Sequence, residues 1–186
     1  METVQFTNME KAKSKVYIDG ANMFYTQKSL GWFIDFKKLR NFLEKKWDIT
    51  GIKYYTGVKE NDDKMASFLK YLDHLEIEPV TKPLKRIKNS GTLIYKSNFD
   101  VEMTMDILME RQSYDICILF SGDSDFHALV EKLHDFGKKI IVFSTRKMIS
   151  WELKLDVNRY FFLEDLKDMI KKTSARRRSR VKLDIA

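Results

Sequence analysis

Four aspartates stand out because of what precedes them. Asp19 closes the β-rich run "KVYID" at 15–19, and Asp123 and Asp125 lie in "SGDSDF", directly beyond the apolar run "YDICILF" at 114–120. Asp100 opens "DVEMTMDILMERQ", a stretch with helical spacing. Acids at the ends of neighbouring strands converge, and four of them crowded together repel one another while desolvation adds to the cost. A divalent cation relieves both problems. Hard oxygen donors with no His or Cys among them favour Mg²⁺ or Mn²⁺ over Zn²⁺. Such a site suits metal-assisted hydrolysis, which needs no histidine or serine nucleophile. Each acid also has a simpler reading: Asp19 before Gly20 as a turn residue, Asp100 as an N-cap, Asp123 and Asp125 as caps of the helix that follows. Capping is the better explanation of any one of them, but caps do not require acids at several separate strand ends. Asn22 is a candidate to hold water or a phosphate oxygen, and equally an ordinary first-turn residue. Ser121 and Ser124 could donate hydrogen bonds to the acids or to a substrate.

The elements that must position these residues follow from periodicity. The spacing predicts strands at 15–19, 52–58, 114–120, 138–144 and "YFFL" at 160–163. Helices are predicted at 21–30, stopping near Gly31; from Asp35 through Trp47, with Asp35 as an N-cap; over 61–76; from Asp100; after "SGDSDF" to about Phe136, with Gly137 as the C-terminal glycine; at "MISWELKL"; and at "EDLKDMIKK". Signals over 78–96 are weaker and suggest two strands joined by Asn89, Ser90 and Gly91. Alternating strands and helices predict an α/β fold, a mostly parallel central sheet covered by helices on both faces. Ligands in such sheets bind beyond the carboxyl ends of the strands, where strand order reverses.

The 186 residues suit one α/β domain, with 44% apolar and 33% charged residues. One cysteine excludes a disulfide framework and a Cys-based zinc finger, and Cys117, between Ile116 and Ile118, reads as an inert core thiol. No apolar run approaches a membrane span, and the first 15 residues lack a secretory signal's apolar core, so a cytoplasmic protein without membrane contact is expected. The net charge of +7 is unevenly spread: Lys171 to Ala186 holds seven Lys/Arg against one Asp, leaving +1 for everything before it. Lys82, Lys85, Arg86, Lys88 and Lys96 form a second basic stretch with no acid among them. These residues and Arg176, Arg177 and Arg178 are candidates to hold a phosphate backbone, the alternative being a solvated loop and tail. Tyr25, Trp32 and Phe33 could stack on unpaired bases, although packing is the more common role for such residues. His127 reads as a surface or capping residue. Ala21 in place of a second Asp excludes a haloacid-dehalogenase-type phosphatase, and no G-x-G-x-x-G follows the first strand, which excludes a dinucleotide site.

"VYIDGANMFY", "KSNFDVEMTMDIL" and "ILFSGDSDFHALVEKLHDFGKKIIVFS" resemble the NYN domains, specifically the LabA-like branch of the PIN-like nuclease superfamily. The resemblance covers about 15–171, with residues 1–14 as a flexible N-terminus and 172–186 as a basic C-terminal tail. It implies a Rossmann-like, PIN-like single domain and a Mg²⁺- or Mn²⁺-dependent ribonuclease acting on RNA, single strands favoured. Asp19, Asp100, Asp123 and Asp125 match the family's acidic positions and Asn22 its associated Asn. Asp106 falls where many members carry an Asp. It lies roughly 240° around a helix from Asp100, so it is a candidate for an outer supporting role only. Asn98-Phe99 replaces the family's usual Gly-Val, and "DVNRYFFL" has Asn158 where an Asp is common; neither Asp156 nor Asn158 is assigned to a metal. Members of this branch are often described by regulatory roles, so an RNA-binding regulator with little turnover is the alternative, followed by a metal-dependent phosphatase on small phosphates. A homodimer is a candidate assembly.

Overall fold

The computed structural model describes residues 12–89 and 92–173, with the side chains of 86–96 outside the described part. The chain runs β1 (Lys13–Asp19), α1 (Gly20–Leu30), α2 (Phe36–Glu44), β2 (Asp48–Val58), α3 (Asp63–His74), β3 (Glu78–Pro83), β4 (Lys85–Asn89) and β5 (Thr92–Lys96). It continues through α4 (Asp100–Met109), β6 (Ile116–Phe120), α5 (His127–Asp135), β7 (Lys139–Ser144), α6 (Trp151–Asp156), β8 (Arg159–Phe162) and α7 (Lys167–Ile170). Six strands form one parallel sheet in the order β3-β2-β1-β6-β7-β8, as the alternating pattern predicts. Strand order reverses between β1 and β6, which are neighbours in register from Ser14↔Ile116 to Ile18↔Phe120. The residues after these two strands are therefore held side by side at the reversal point.

Successive side chains of a strand point to opposite faces, and here the two faces bury separate cores. Val16 and Ile18 of β1 pack with Met23, Leu39, Leu43, Leu72 and Ile170, so α1, α2, α3 and α7 cover that face. Phe143 runs through this core, stacked on Phe120 at 4.5 Å and on Phe161 at 5.0 Å. Tyr17 lies on the other face with Met103, Ile107, Val130 and Leu153 of α4, α5 and α6. Asp19, two residues on, shares that second face with Tyr17, beside α4.

Several boundaries differ from the pattern-based expectation. β2 begins at Asp48, because pairing of Asp48 and Ile49 with Lys13 and Ser14 overrides the turn-like "DITG". The 78–96 segment contains three strands: β3 joins β2 as a parallel edge strand, while β4 and β5 form a separate antiparallel pair. An edge position tolerates Pro79 and Pro83, which lack the N–H a central strand must donate. The last predicted helix is divided into a 3₁₀ turn at Leu163–Leu166 and the short α7. Gly31 and Gly137 end their helices with φ of 70° and 68°, as expected of C-terminal glycines.

Candidate acidic metal site

Carboxylate oxygens of Asp100, Asp123 and Asp125 lie within 4.8 Å of one another. Three separate features of the chain bring them together. The loop after β6 starts with Ser121, Gly122 and Asp123, then tightens into a 3₁₀ turn at Ser124–Phe126, which presents Asp125. The side chain of Asp123 accepts the N–H of Asp125 at 3.1 Å, so this acid caps the turn as well. α4 starts at the same edge, and the carboxamide oxygen of Asn98 accepts the N–H of Asp100 at 2.9 Å. Asp100 is therefore the first helical residue rather than the N-cap. The Asn98-Phe99 pair shapes this start: Asn98 takes the amide, and Phe99 is buried edge-on against Tyr55 with ring centroids 5.8 Å apart.

Asp19 stands behind this trio, only 8% exposed. It caps α1 by accepting the Asn22 N–H at 3.0 Å, and its second oxygen accepts the Ser121 hydroxyl at 3.4 Å. The same hydroxyl accepts the Asp123 N–H at 3.3 Å, so Ser121, fully buried, links the two strand ends. Burial raises the Asp19 carboxyl above its ordinary range and the nearby Asp100 charge adds to this, against hydrogen bonds from Asn22, Ala21 and Ser121 that lower it. Among the described residues no lysine or arginine pairs with Asp19, Asp123 or Asp125. The side-chain oxygen of Asn22 is buried without a hydrogen-bond partner. A set of hard oxygen donors beside an unpartnered amide oxygen fits a Mg²⁺ or Mn²⁺ ion.

Glycines adjoin two of the acids for a steric reason. A Cβ at Gly20 would stand 2.4 Å from the Tyr55 carbonyl oxygen; one at Gly122 would stand 2.4 Å from the Met148 carbonyl oxygen and 2.5 Å from Ser144 Oγ. Neither has a positive φ; close approach of backbone, not turn geometry, requires them. Ser124 is exposed in the 3₁₀ turn.

Asp106 is placed elsewhere, in a polar cluster that sequence reasoning missed. Its Oδ2 receives Lys53 Nζ at 3.0 Å and the Tyr55 hydroxyl at 2.8 Å. One turn on, Glu110 binds Lys53 at 2.6 Å, Lys15 at 3.0 Å and the Tyr17 hydroxyl at 2.8 Å. These bonds fasten α4 to β1 and β2, the sheet strands nearest to Asp19. The pattern was readable only in part: Lys15 and Tyr17, like Lys53 and Tyr55, are two residues apart and so share a strand face, but their partners are far away in sequence.

Of the basic candidates, Lys82 lies at the start of α4, bonded to Asn98 O and paired with Glu102, its ammonium 4.4 Å from the centre of the Phe99 ring. Lys85 is exposed and pairs in strand register with Lys96. The side chains of Arg86, Lys88 and Lys96 and all of Arg176, Arg177 and Arg178 lie outside the described residues. Trp32 is a core residue, whereas Tyr25 and Phe33 are exposed, departing from the packing role expected of them. His127 pairs with Asp156 on the surface, and Asn158 accepts the Ile140 N–H at 2.7 Å. Cys117 is buried, and burial pushes its thiol well above the ordinary range.

Residues 13–164 match the NYN domain. The chain belongs to the NYN domain family. Its sequence is 35% identical over 163 residues to the low amplitude and bright protein LabA of Synechococcus elongatus, covering 85% of this chain and 87% of LabA. Its fold is similar to the crystal structure of VPA0982, a protein of unknown function from Vibrio parahaemolyticus, with a TM-score of 0.73 at 22% identity, over 88% of this chain and 98% of that one. NYN domains are generally nucleases. In this NYN domain the acidic cluster occupies the crevice where parallel α/β sheets bind ligands. Among the described residues no helix is long and apolar enough to cross a membrane.

Proposed function

We propose that this NYN domain is a metal-dependent ribonuclease that hydrolyses phosphodiester bonds of single-stranded RNA. The observation that carries the reading is the convergence of Asp100, Asp123 and Asp125 within 4.8 Å, with Asp19 behind them. Asp100, Asp123 and Asp125 would hold Mg²⁺ or Mn²⁺, with Asp19 close enough to take part directly or through water. A divalent cation there supplies positive charge at the phosphate and acidifies water. The chain's own contribution is orientation. The Asp19 carboxylate accepts the Asn22 N–H and the Ser121 hydroxyl, and the Asp123 carboxylate accepts the Asp125 N–H while Ser121 Oγ accepts the main-chain N–H of Asp123, so both side chains are oriented before substrate arrives. The unpartnered Asn22 amide oxygen would accept from water beside Asp19, and its NH2 group could donate to a phosphate oxygen. The basic residues of 82–96 and of the C-terminal tail would supply contacts to the RNA backbone.

The test is cleavage of end-labelled single-stranded RNA, with matched DNA and duplex controls, in Mn²⁺, Mg²⁺ or EDTA. Wild type and Asp123→Asn are purified identically to control for contaminating ribonuclease. An Asn oxygen can still accept the Asp125 N–H, so the variant removes the charge while keeping the cap. Metal-dependent cutting lost in the variant supports the assignment. Equal cutting by both proteins, or none by either, transfers it to an RNA-binding regulator without turnover.

A further inference from the structure

The loop between β7 and α6 lies against the acid-bearing loop and leads into an exposed aromatic residue. Ser150 donates its N–H to the Gly122 carbonyl at 2.9 Å, and the Met148 carbonyl lies directly against Gly122, next to Asp123. The residue after Ser150 is Trp151, which opens α6, and α6 packs on the 124–126 turn that carries Asp125. Trp151 is 68% exposed, while Trp32 and Trp47 are 6% and 4% exposed in the core. Its indole makes no ring contact or hydrogen bond with any described residue. The opposite face of the sheet presents a second aromatic group. Phe24 and Tyr25 of α1 are 56% and 61% exposed, edge to face at 5.5 Å, within two turns of Asp19. Thr26 bonds Met148 Sδ at 3.2 Å, tying this part of α1 to the same loop.

A cluster of carboxylates offers a polyanion no attraction through side-chain charge. Beyond what a bound cation would supply, affinity close to the reacting phosphate needs contacts that do not depend on charge, and an aromatic face stacked on a base is such a contact. A base inside a duplex already has both faces covered and must be extruded before it can meet an indole. We propose that Trp151 is a stacking platform for an unpaired nucleobase next to the reacting phosphate, with Phe24 and Tyr25 as a second platform on the other flank. The site thereby selects single strands. The inference deepens the nuclease reading and rests on it for the position of the phosphate.

The buried state of Trp32 and Trp47 makes fluorescence a specific probe, because an added quencher that contacts the surface reaches Trp151 first. Full-length protein, in EDTA and separately in Mg²⁺, is titrated with oligouridylate, with an abasic oligomer of equal length and charge, and with an RNA duplex. Quenching is expected from oligouridylate and not from the abasic oligomer or the duplex. Trp151→Ala is expected to weaken oligouridylate binding roughly 5- to 150-fold, the range for loss of one base–aromatic stack, and to leave abasic binding unchanged. Trp151→Phe should retain most of the affinity. No quenching, equal quenching by the abasic oligomer, or unchanged affinity in Trp151→Ala overturns the proposal. Concentration-dependent self-association that buries Trp151 overturns it in favour of a protein interface. Cleavage is scored separately: cutting without quenching removes the platform alone, whereas base-dependent quenching without cutting keeps the platform and removes the hydrolase.

Discussion

Neutralising one acid of the cluster should make the metal-free protein more stable while removing its response to metal. In Asp123→Asn two repulsions disappear, those with Asp100 and Asp125, each between oxygens no more than 4.8 Å apart. At that separation two unit charges in a water-like medium repel by about 1 kcal/mol, so the gross gain is about 2 kcal/mol. Replacing a charged cap by a neutral one at the 124–126 turn costs up to about 1 kcal/mol. The net gain is about 1 kcal/mol, which for a domain of this size raises Tm by roughly 2–4 °C. Thermal unfolding at low ionic strength in EDTA reads this directly, and added salt should shrink it. With Mn²⁺ or Mg²⁺ the order reverses: a ligand at a hundred times its Kd stabilises the wild type by about 2.7 kcal/mol. The variant, lacking a ligand and a charge, should respond far less. A variant less stable than wild type in EDTA, together with a wild type indifferent to both ions, would refute the reasoning that these acids are held together at a cost that a cation relieves.

The glycines and the polar cluster beneath α4 give two further expectations. Gly20→Ala and Gly122→Ala each drive a Cβ to 2.4 Å from a carbonyl oxygen, so each should lose about 1–3 kcal/mol in denaturant unfolding; wild-type stability in either would show that the backbones part freely. Lys53→Met leaves Asp106 with the Tyr55 hydroxyl but without a cation and weakens the hold on Glu110, for a loss of about 1–3 kcal/mol at pH 7, below the range for a fully buried pair because both carboxylates are partly exposed. Despite burial, which raises it, hydrogen bonds from Lys53, Lys15 and Tyr17 hold the Glu110 carboxyl below its ordinary 4.5. A depressed folded pKa contributes stability above the unfolded value that is lost as pH falls through the folded one. The gap between wild type and Lys53→Met should therefore be full above about pH 4.5 and narrow below it; a gap that does not vary with pH would remove Glu110 from the account.

What was legible in the sequence and what was not divides along the range of the interactions. "ICILF" reads as a buried strand from its composition, and the acids following it and following "KVYI" read as a site because a parallel sheet sends its strand ends to one edge. Trp151 could not be read, since an aromatic residue at the start of a short helix has the same local pattern whether it faces the core or water; the Ser150 to Gly122 bond, which ties its segment to the loop carrying Asp123, joins residues far apart in sequence. Asp106 was excluded from the face of Asp100 by helical geometry, but its partner Lys53 lies 53 residues away, beyond any local signal. The choice between cap and site residue posed by Asp19 and Asp123 is not exclusive: on the function proposed above, the same atoms serve as both. In a parallel β–α unit the strand's carboxyl end is also the next helix's N-terminus, so the position that needs a cap is also the position that faces the ligand crevice. Asp19 gives one oxygen to the Asn22 N–H and the other to Ser121, and Asp123 accepts the Asp125 N–H while its carboxylate faces Asp100 and Asp125. Capping fixes each carboxylate before a ligand arrives, which lowers the entropic cost of ordering it when one does.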